Sequence, residues 1–404
     1  MTLQTRTKLR PAVEVLGPWL LNKGDVLNLN AIDRQIGASY DLAVSSNLGL
    51  ERPPDSPEVL KIKWRPDYAE FRGAARSLSI RGGLSLMRRE VALRLAPDAP
   101  LRRKRLLDGR RLVGLLDCSG FAYGDQWGPE RMHRRARYYQ RLKQMGKKLI
   151  LLPQAFGPFE RSSIREAATA ALKRFDLLFA RDLVSYEHLL SLDLDPSVIS
   201  LAPDITHLLL GTPPREPEVW ARRVCLVPNA RMVDKTSPRQ SEAYRGFMAR
   251  CARQAKERGF EPVFVIHERN DRPLVTDLQG ALDFEVPIFD DDALVTKGYL
   301  GAAYAVIGSR YHALLSSLSQ GTPSIGTSWN HKYEAMFKDY RCPELVLDPS
   351  TEPAEAEARI GQLLDPESRE RLHKTLSEAA QIQKDRVSDM WIQVENMLEP
   401  ALAK

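Results

Sequence analysis

The chain has 404 residues, roughly two or three domains' worth, with 43% hydrophobic and 27% charged residues, values that exclude wholesale disorder, a fibrous repeat and a disulfide-stapled miniprotein. Lys and Arg number 59 against 52 Asp and Glu, an excess of seven that suits anionic ligands but is far from a histone-like bias. The four cysteines, Cys118, Cys225, Cys251 and Cys342, form no CxxC pair, which argues against a zinc ribbon, suits a reducing cytoplasm and leads us to expect no metal.

Met1 to Arg10 carries Arg6, Lys8 and Arg10 with no apolar run behind them, so it does not read as a secretory signal. No stretch approaches the roughly 18 to 20 apolar residues that cross a bilayer. A cytoplasmic protein is expected, with any membrane contact peripheral, at the inner face. From Val13 onward, strand patterns at Val13 to Trp19, Leu42 to Ser46, Leu112 to Asp117, Leu149 to Gln154, Leu177 to Arg181 and Val198 to Ala202 alternate with helical periodicity near 25–36, 130–145, 161–174 and 183–191. That order predicts a parallel sheet covered by helices on both faces, a Rossmann-like domain over 1–210.

Gly211 to Pro217 is Pro-dense and aperiodic, and 211–222 reads as the linker. The alternation then restarts, with strands at Arg223 to Pro228, Pro262 to His267, Ala305 to Ser309, Ser324 to Ser328 and Leu345 to Leu347, and helices near 240–258, 291–300, 312–320 and 331–339. A second Rossmann-like domain is predicted over 223–350. Residues 351–404 are helical in composition and long enough to pack back across the domains. Open parallel sheets bind ligands beyond the carboxyl ends of their strands, so two facing units place the site in a cleft lined by strand-end loops.

Those loops are polar. Asn22-Lys23-Gly24-Asp25 closes the first strand: either Gly24 lets a ligand approach helix amides, or Asp25 simply caps the helix. Asp117 to Gly128, with Gly120, Tyr123, Asp125 and Trp127, lacks GxGxxG spacing and suits a polyhydroxylated ring better than a dinucleotide, or merely turns the chain. Gln154-Ala155-Phe156-Gly157-Pro158 ends the next strand. Arg181 and Asp182 follow another, as a structural ion pair or with Arg181 facing the cleft to hold a carboxylate or phosphate. Ile307-Gly308-Ser309-Arg310-Tyr311-His312 runs from strand into helix. If the chain stays extended there, Arg310 and His312 share a face. Asn330-His331-Lys332 offers further cations or a helix start.

In their order along the chain, Asn22 to Asp25, Gln154 to Pro158, Ala180-Arg181-Asp182, Ala202-Pro203-Asp204, Gly308 to Ala313, Gly321-Thr322-Pro323 and His331-Lys332 resemble the polysaccharide pyruvyl transferase family. The resemblance implies two facing Rossmann-like domains of glycosyltransferase-B-like architecture with the C-terminal helical tail. It also implies transfer of pyruvate from phosphoenolpyruvate onto two hydroxyls of a sugar in an exopolysaccharide or cell-surface glycan precursor, without cofactor or metal. The acceptor would be a sugar or oligosaccharide, free or lipid-linked. Carried over by position, Arg181, Arg310 and His312 become the catalytic group. Asn22, Gly24, Asp25, Gly120, Asp125, Gln154, Gly157, Asp182, Ser309, His331 and Lys332 become substrate-binding candidates. Tyr311 stands where many members have leucine, and Asp117-Cys118-Ser119-Gly120 replaces a glycine doublet. On this reading the two arginines clamp the donor's phosphate and carboxylate while His312 protonates its methylene carbon.

Two other functions fit the same residues. A nucleotide-sugar glycosyltransferase uses such a scaffold, with Asp290-Asp291-Asp292 as a metal-diphosphate site or, more plainly, a helix cap. A non-catalytic polyanion binder would use Arg102 to Arg105, Arg110-Arg111 and the cations of 131–148, although no nucleic-acid module accompanies them and nucleic acid is not expected as a partner.

Overall fold

The computed structural model describes residues 10–18, 22–45, 57, 59–63, 106–327 and 332–399. Its first unit runs β1 (Ala12–Leu16), α1 (Lys23–Ile36), β2 (Asp41–Ser45), β3 (Leu60–Lys63), β4 (Leu106–Asp108), β5 (Leu112–Asp117), α2 (Pro129–Gln144), β6 (Lys148–Gln154), α3 (Ser162–Leu172), β7 (Leu177–Ala180), α4 (Leu183–Leu190) and β8 (Ile199–Leu201). The eight strands lie parallel in the order β4-β3-β2-β1-β5-β6-β7-β8. Side chains alternate across this sheet. Leu116, Ile150, Leu152 and Phe179 pack under α1, whereas Leu115, Leu149, Leu151 and Leu178 pack under α2, α3 and α4. Strands buried on both faces read as unbroken apolar runs, as β6 does.

The second unit runs α5 (Pro217–Trp220), β9 (Arg223–Val227), α6 (Arg231–Asp234), α7 (Pro238–Glu257), β10 (Glu261–Val265), α8 (Arg272–Gly280), β11 (Ile288–Phe289), α9 (Ala293–Ala302), β12 (Ala305–Gly308), α10 (Tyr311–Leu318), β13 (Ser324–Thr327), α11 (Lys332–Asp339) and β14 (Val346–Leu347). Its sheet is also parallel, ordered β11-β10-β9-β12-β13-β14. The chain between the sheets is tied down: Thr212 N–H donates to Leu294 O at 2.9 Å, and Trp220 joins the second core, edge-on to Phe289 and Tyr299. α12 (Pro353–Leu364) and α13 (Pro366–Leu398) complete the chain. α13 buries Leu376, Ala379 and Ala380 in the second core and Val387, Met390, Trp391, Val394 and Leu398 in the first.

In each sheet the strand order reverses once, between β1 and β5 and between β9 and β12. A crevice opens beyond the strand ends at such a point. The loops after β1, β5 and β12 leave these reversals, and those after β6 and β7 sit beside the first.

Several elements end differently from the sequence pattern. The first strand stops at Leu16 because Gly17 turns the chain at φ +111. Trp19, Ser46 and Ser328 lie outside the described residues, as do Met1 to Leu9 and Arg102 to Arg105. Asn22, not Asp25, caps α1, its Oδ1 accepting from Gly24 N–H at 2.9 Å. The pattern did not give β3, β4, β11 or α8; the three strands have two to four residues each, too short for a period to show.

Candidate functional site

The cap on α1 delivers the first loop to the facing domain. Lys23 Nζ donates to Ile266 O and to Asp290 Oδ1, the latter at 2.9 Å, and Asn22 forms an antiparallel bridge with Glu268. Asp290, expected among the helix-capping aspartates, instead pairs with Lys23 and Arg272. Gly24 touches the His312 ring so closely that an added Cβ would overlap Nδ1. The first loop of the sequence pattern and the strand-to-helix junction that carries His312 therefore meet across the cleft.

β7 and β8 supply the other wall. Arg181 N–H donates to Gln154 O at 3.0 Å. Its guanidinium donates to Asp204 Oδ2 at 3.1 Å and lies 4.2 Å over the Tyr311 ring, a cation–π contact. Arg181 does not pair with Asp182, whose Oδ1 instead accepts from Ser185 N–H and caps α4. Arg181 Nε, Asp182 Oδ2 and Gln154 Oε1 are buried without hydrogen-bond partners.

Asp204 joins these groups. Its Oδ1 accepts from Thr206 N–H and Oγ1, its backbone oxygen lies 2.6 Å from His207 Nδ1, and its Oδ2 lies 3.5 Å from His312 Nε2. Burial pushes the carboxyl upward, but His312 first, with Arg181 and His207, outweighs it and holds Asp204 far below the usual carboxylate range. Lys332 starts α11 with its Nζ 5.6 Å from the Tyr311 ring. Burial first, then the charges of Arg181 and Arg310, bring this amine down to about 7. Cations from both domains therefore act on one another here.

Arg310 differs from expectation. It is extended, but the helix begins at Tyr311, so the period of two does not carry through and Arg310 and His312 diverge. Nε of Arg310 donates to Asp271 at 2.9 Å, and its other two nitrogens donate to Asp271 and Glu268. The guanidinium is thus held on its own domain while His312 turns to the partner domain.

The remaining candidates fall around this centre. Ser309 is fully buried behind it, bonded to Tyr244 and Thr327. Asp125 accepts from the backbone N–H groups of Glu160 and Arg161, bracing one loop on another. Gly120 has φ +73 and open space where a Cβ would stand, and Gly157 packs on His188. Asp25 lies near Cys118, whose thiol is pushed up first by burial and then by Asp25 and Asp117. His331 lies outside the described residues. Under the glycine-containing loop, Asp117 accepts from Ser119, Tyr123, Tyr139 and Arg135, a satisfied network that fixes the loop's start. Asp204 and Lys23 belong to the sequence motifs but were not among the expected site residues; no spacing rule brings Asp204 to His312, 108 positions away in the sequence.

No protein of curated function matches the sequence. Solved structures of similar fold include a UDP-glucosyltransferase from Polygonum tinctorium, 12% identical, covering 97% of this chain and 99% of that one with a TM-score of 0.51. They also include Alr3699/HepE of Anabaena in complex with UDP-glucose, 11% identical, covering 97% and 100%, with a TM-score of 0.56. At these identities the likeness is one of fold, that of GT-B glycosyltransferases. The sequence model of polysaccharide pyruvyl transferases matches residues 22–331.

Proposed function

The chain belongs to the polysaccharide pyruvyl transferase family, and on that premise we propose that it moves pyruvate from phosphoenolpyruvate onto two hydroxyls of a sugar in an exopolysaccharide or cell-surface glycan precursor. The observation that carries this reading is that Arg181 of the first domain and Lys332 of the second share one space around the Tyr311 ring, 4.2 and 5.6 Å from it, beside His312. Such a space suits a small ligand with an anionic group at each end.

Arg181 and Lys332 meet the phosphate and carboxylate. Arg310, engaged by Asp271 and Glu268, holds the start of α10 and adds its field. His312 protonates the methylene carbon, and one sugar hydroxyl adds to the oxocarbenium-like carbon, its proton restoring that of His312. The carbon–oxygen bond to phosphate breaks, phosphate leaves with the bridging oxygen, and it takes up the proton that the second hydroxyl releases in closing the ketal. Positioning and charge supply most of the acceleration, and the general acid about 10² to 10⁴ of it.

Incubation with phosphoenolpyruvate and a glycan panel should release inorganic phosphate in step with the mass gain of a ketal. His312→Ala should lower kcat by about 10² to 10⁴ and leave donor affinity nearly unchanged. Nucleotide release from UDP-sugars, with no phosphate from phosphoenolpyruvate, would replace this reading with glycosyl transfer.

A further inference from the structure

The helix layer formed by α2, α3 and α4 carries two features that the reaction does not use. The first is that α4 turns apolar side chains outward. Leu183, Val184 and Leu190 are 57%, 40% and 45% exposed, and Leu201, at the end of the adjoining edge strand β8, is 38% exposed. Within α4 only Ser185 and Leu189 are buried. Among the described residues eight large hydrophobic side chains are exposed in this way, and half of them fall on this helix and strand.

The second feature is charge. Residues 129–176, from the start of α2 to the turn after α3, hold twelve Arg and Lys against four Asp and Glu, an excess of eight where the whole chain has seven. Arg134, Arg137, Arg165 and Lys173 are exposed. Arg165 donates to Ser191 O at 2.8 Å, which joins the basic surface to the end of α4.

We propose that this layer docks on an anionic lipid bilayer, its cations on the headgroups and Leu183, Val184, Leu190 and Leu201 at the boundary with the acyl chains. Charge complementarity selects this occupant. A soluble polyanion would use the cations and leave the leucines in water. A second copy would cover the leucines but set two strongly positive faces against each other. α4 begins two residues after Arg181, so docking lays the membrane alongside the cleft. Delivery of a lipid-linked acceptor there rests on the function proposed above; the docking does not.

The test is flotation of the full chain with vesicles of phosphatidylcholine alone or mixed with phosphatidylglycerol. The parent should float with the mixed vesicles, lose them at high salt, and bind neutral vesicles weakly. Replacing Arg134, Arg137 and Lys173 by Gln should weaken attachment about fivefold per residue, about a hundredfold together. Leu190→Gln with Leu201→Gln should weaken it about tenfold per leucine while leaving binding to dextran sulfate and the melting temperature unchanged. Parental vesicle binding by the leucine pair would overturn the proposal, as would a parent that binds dextran sulfate but no vesicles. A dimer that the leucine changes dissolve, with vesicle binding absent, would assign the face to a second copy instead. Phosphate release from phosphoenolpyruvate by the same variants in detergent-free buffer reports on the reaction separately.

Discussion

Asp204 sets how the two domains meet at the cleft, because one carboxylate serves Arg181 on its own domain and His312 on the other. Its folded pKa is depressed, so the stability it contributes is present above the ordinary value of 3.8 and is lost as pH falls through the lower folded value. Asp204→Asn should remove that acid step and lower stability at neutral pH by about 3 to 5 kcal/mol, since it leaves the buried Arg181 unpaired. Denaturant unfolding at several pH values checks both, and an unchanged midpoint at neutral pH would refute them. Lys332 gives a prediction of opposite form. Burial and the neighbouring arginines hold it near 7, and an anionic donor favours its charged form, so donor affinity should fall as pH rises through about 7, up to tenfold per pH unit. Lys332→Arg, always charged, should flatten that dependence in calorimetry; a parent affinity independent of pH counts against Lys332 in the donor site. That Arg181, His312 and Gly24 stand at strand exits was legible in the sequence, because an apolar run ends just before each of them. The commitment of Arg310 was not, since Glu268 and Asp271 lie 42 and 39 residues before it in a segment with no pattern of its own.

Between elements, the contact that shapes the site is the first turn of α1 against the first turn of α10, and Gly24 makes it possible. A methyl group there would collide with the His312 ring, and overpacking of this kind typically destabilises by about 1 to 3 kcal/mol. Gly24→Ala should therefore displace His312 and lower kcat/KM at least tenfold while the fold survives, because misplacing a reacting group by an ångström can reduce rate about a hundredfold. Gly246→Ala is the contrasting change. It lies within α7, where its Cβ would make only ordinary contact with Arg250, so it should raise stability by about 0.4 to 1 kcal/mol without altering turnover. Comparable activity losses in both variants would remove the argument for Gly24. Strands such as β5 and β6 could be read from the sequence because both faces are covered and their central residues are apolar. β4 and β11 could not, because short edge strands need no such run and are held by their neighbours. The face shared by Arg310 and His312 was misjudged for a related reason: the helix starts one residue earlier than a strand pattern allows.

At the scale of the molecule, α13 ties the two cores together, and the polar groups enclosed beneath it tune stability to pH. The sequence indicated that a helical tail of this length could cross a domain boundary, but not which groups it would enclose. One of them is Lys297 on α9, which is buried with its Nζ 3.2 Å from Ser319 Oγ. Burial, opposed by Asp204 and reinforced by Lys384 of α13, lowers its pKa to about 7. His207 is lowered by burial to about 4, with Asp204 opposing and Lys297 and Lys384 adding to the shift. For both groups the unfolded chain binds more protons than the folded one between the two pKa values, so stability rises with pH across that interval. His207 sets a window from about 4 to 6.5. Lys297 and Lys332 set another that opens near 7 and is cut off near 9, where the buried thiols, held neutral in the fold, reverse the slope. Lys297→Met should stabilise the protein at neutral pH by a few kcal/mol, because an apolar chain of similar length replaces a desolvated amine. It should also reduce the rise in stability between about pH 7 and 9 by roughly half, leaving the part due to Lys332. Unfolding midpoints of parent and variant across that range decide the matter. Parallel curves would mean that the Lys297 amine keeps its proton inside the fold, and the interface beneath α13 would then have to supply an anion for it.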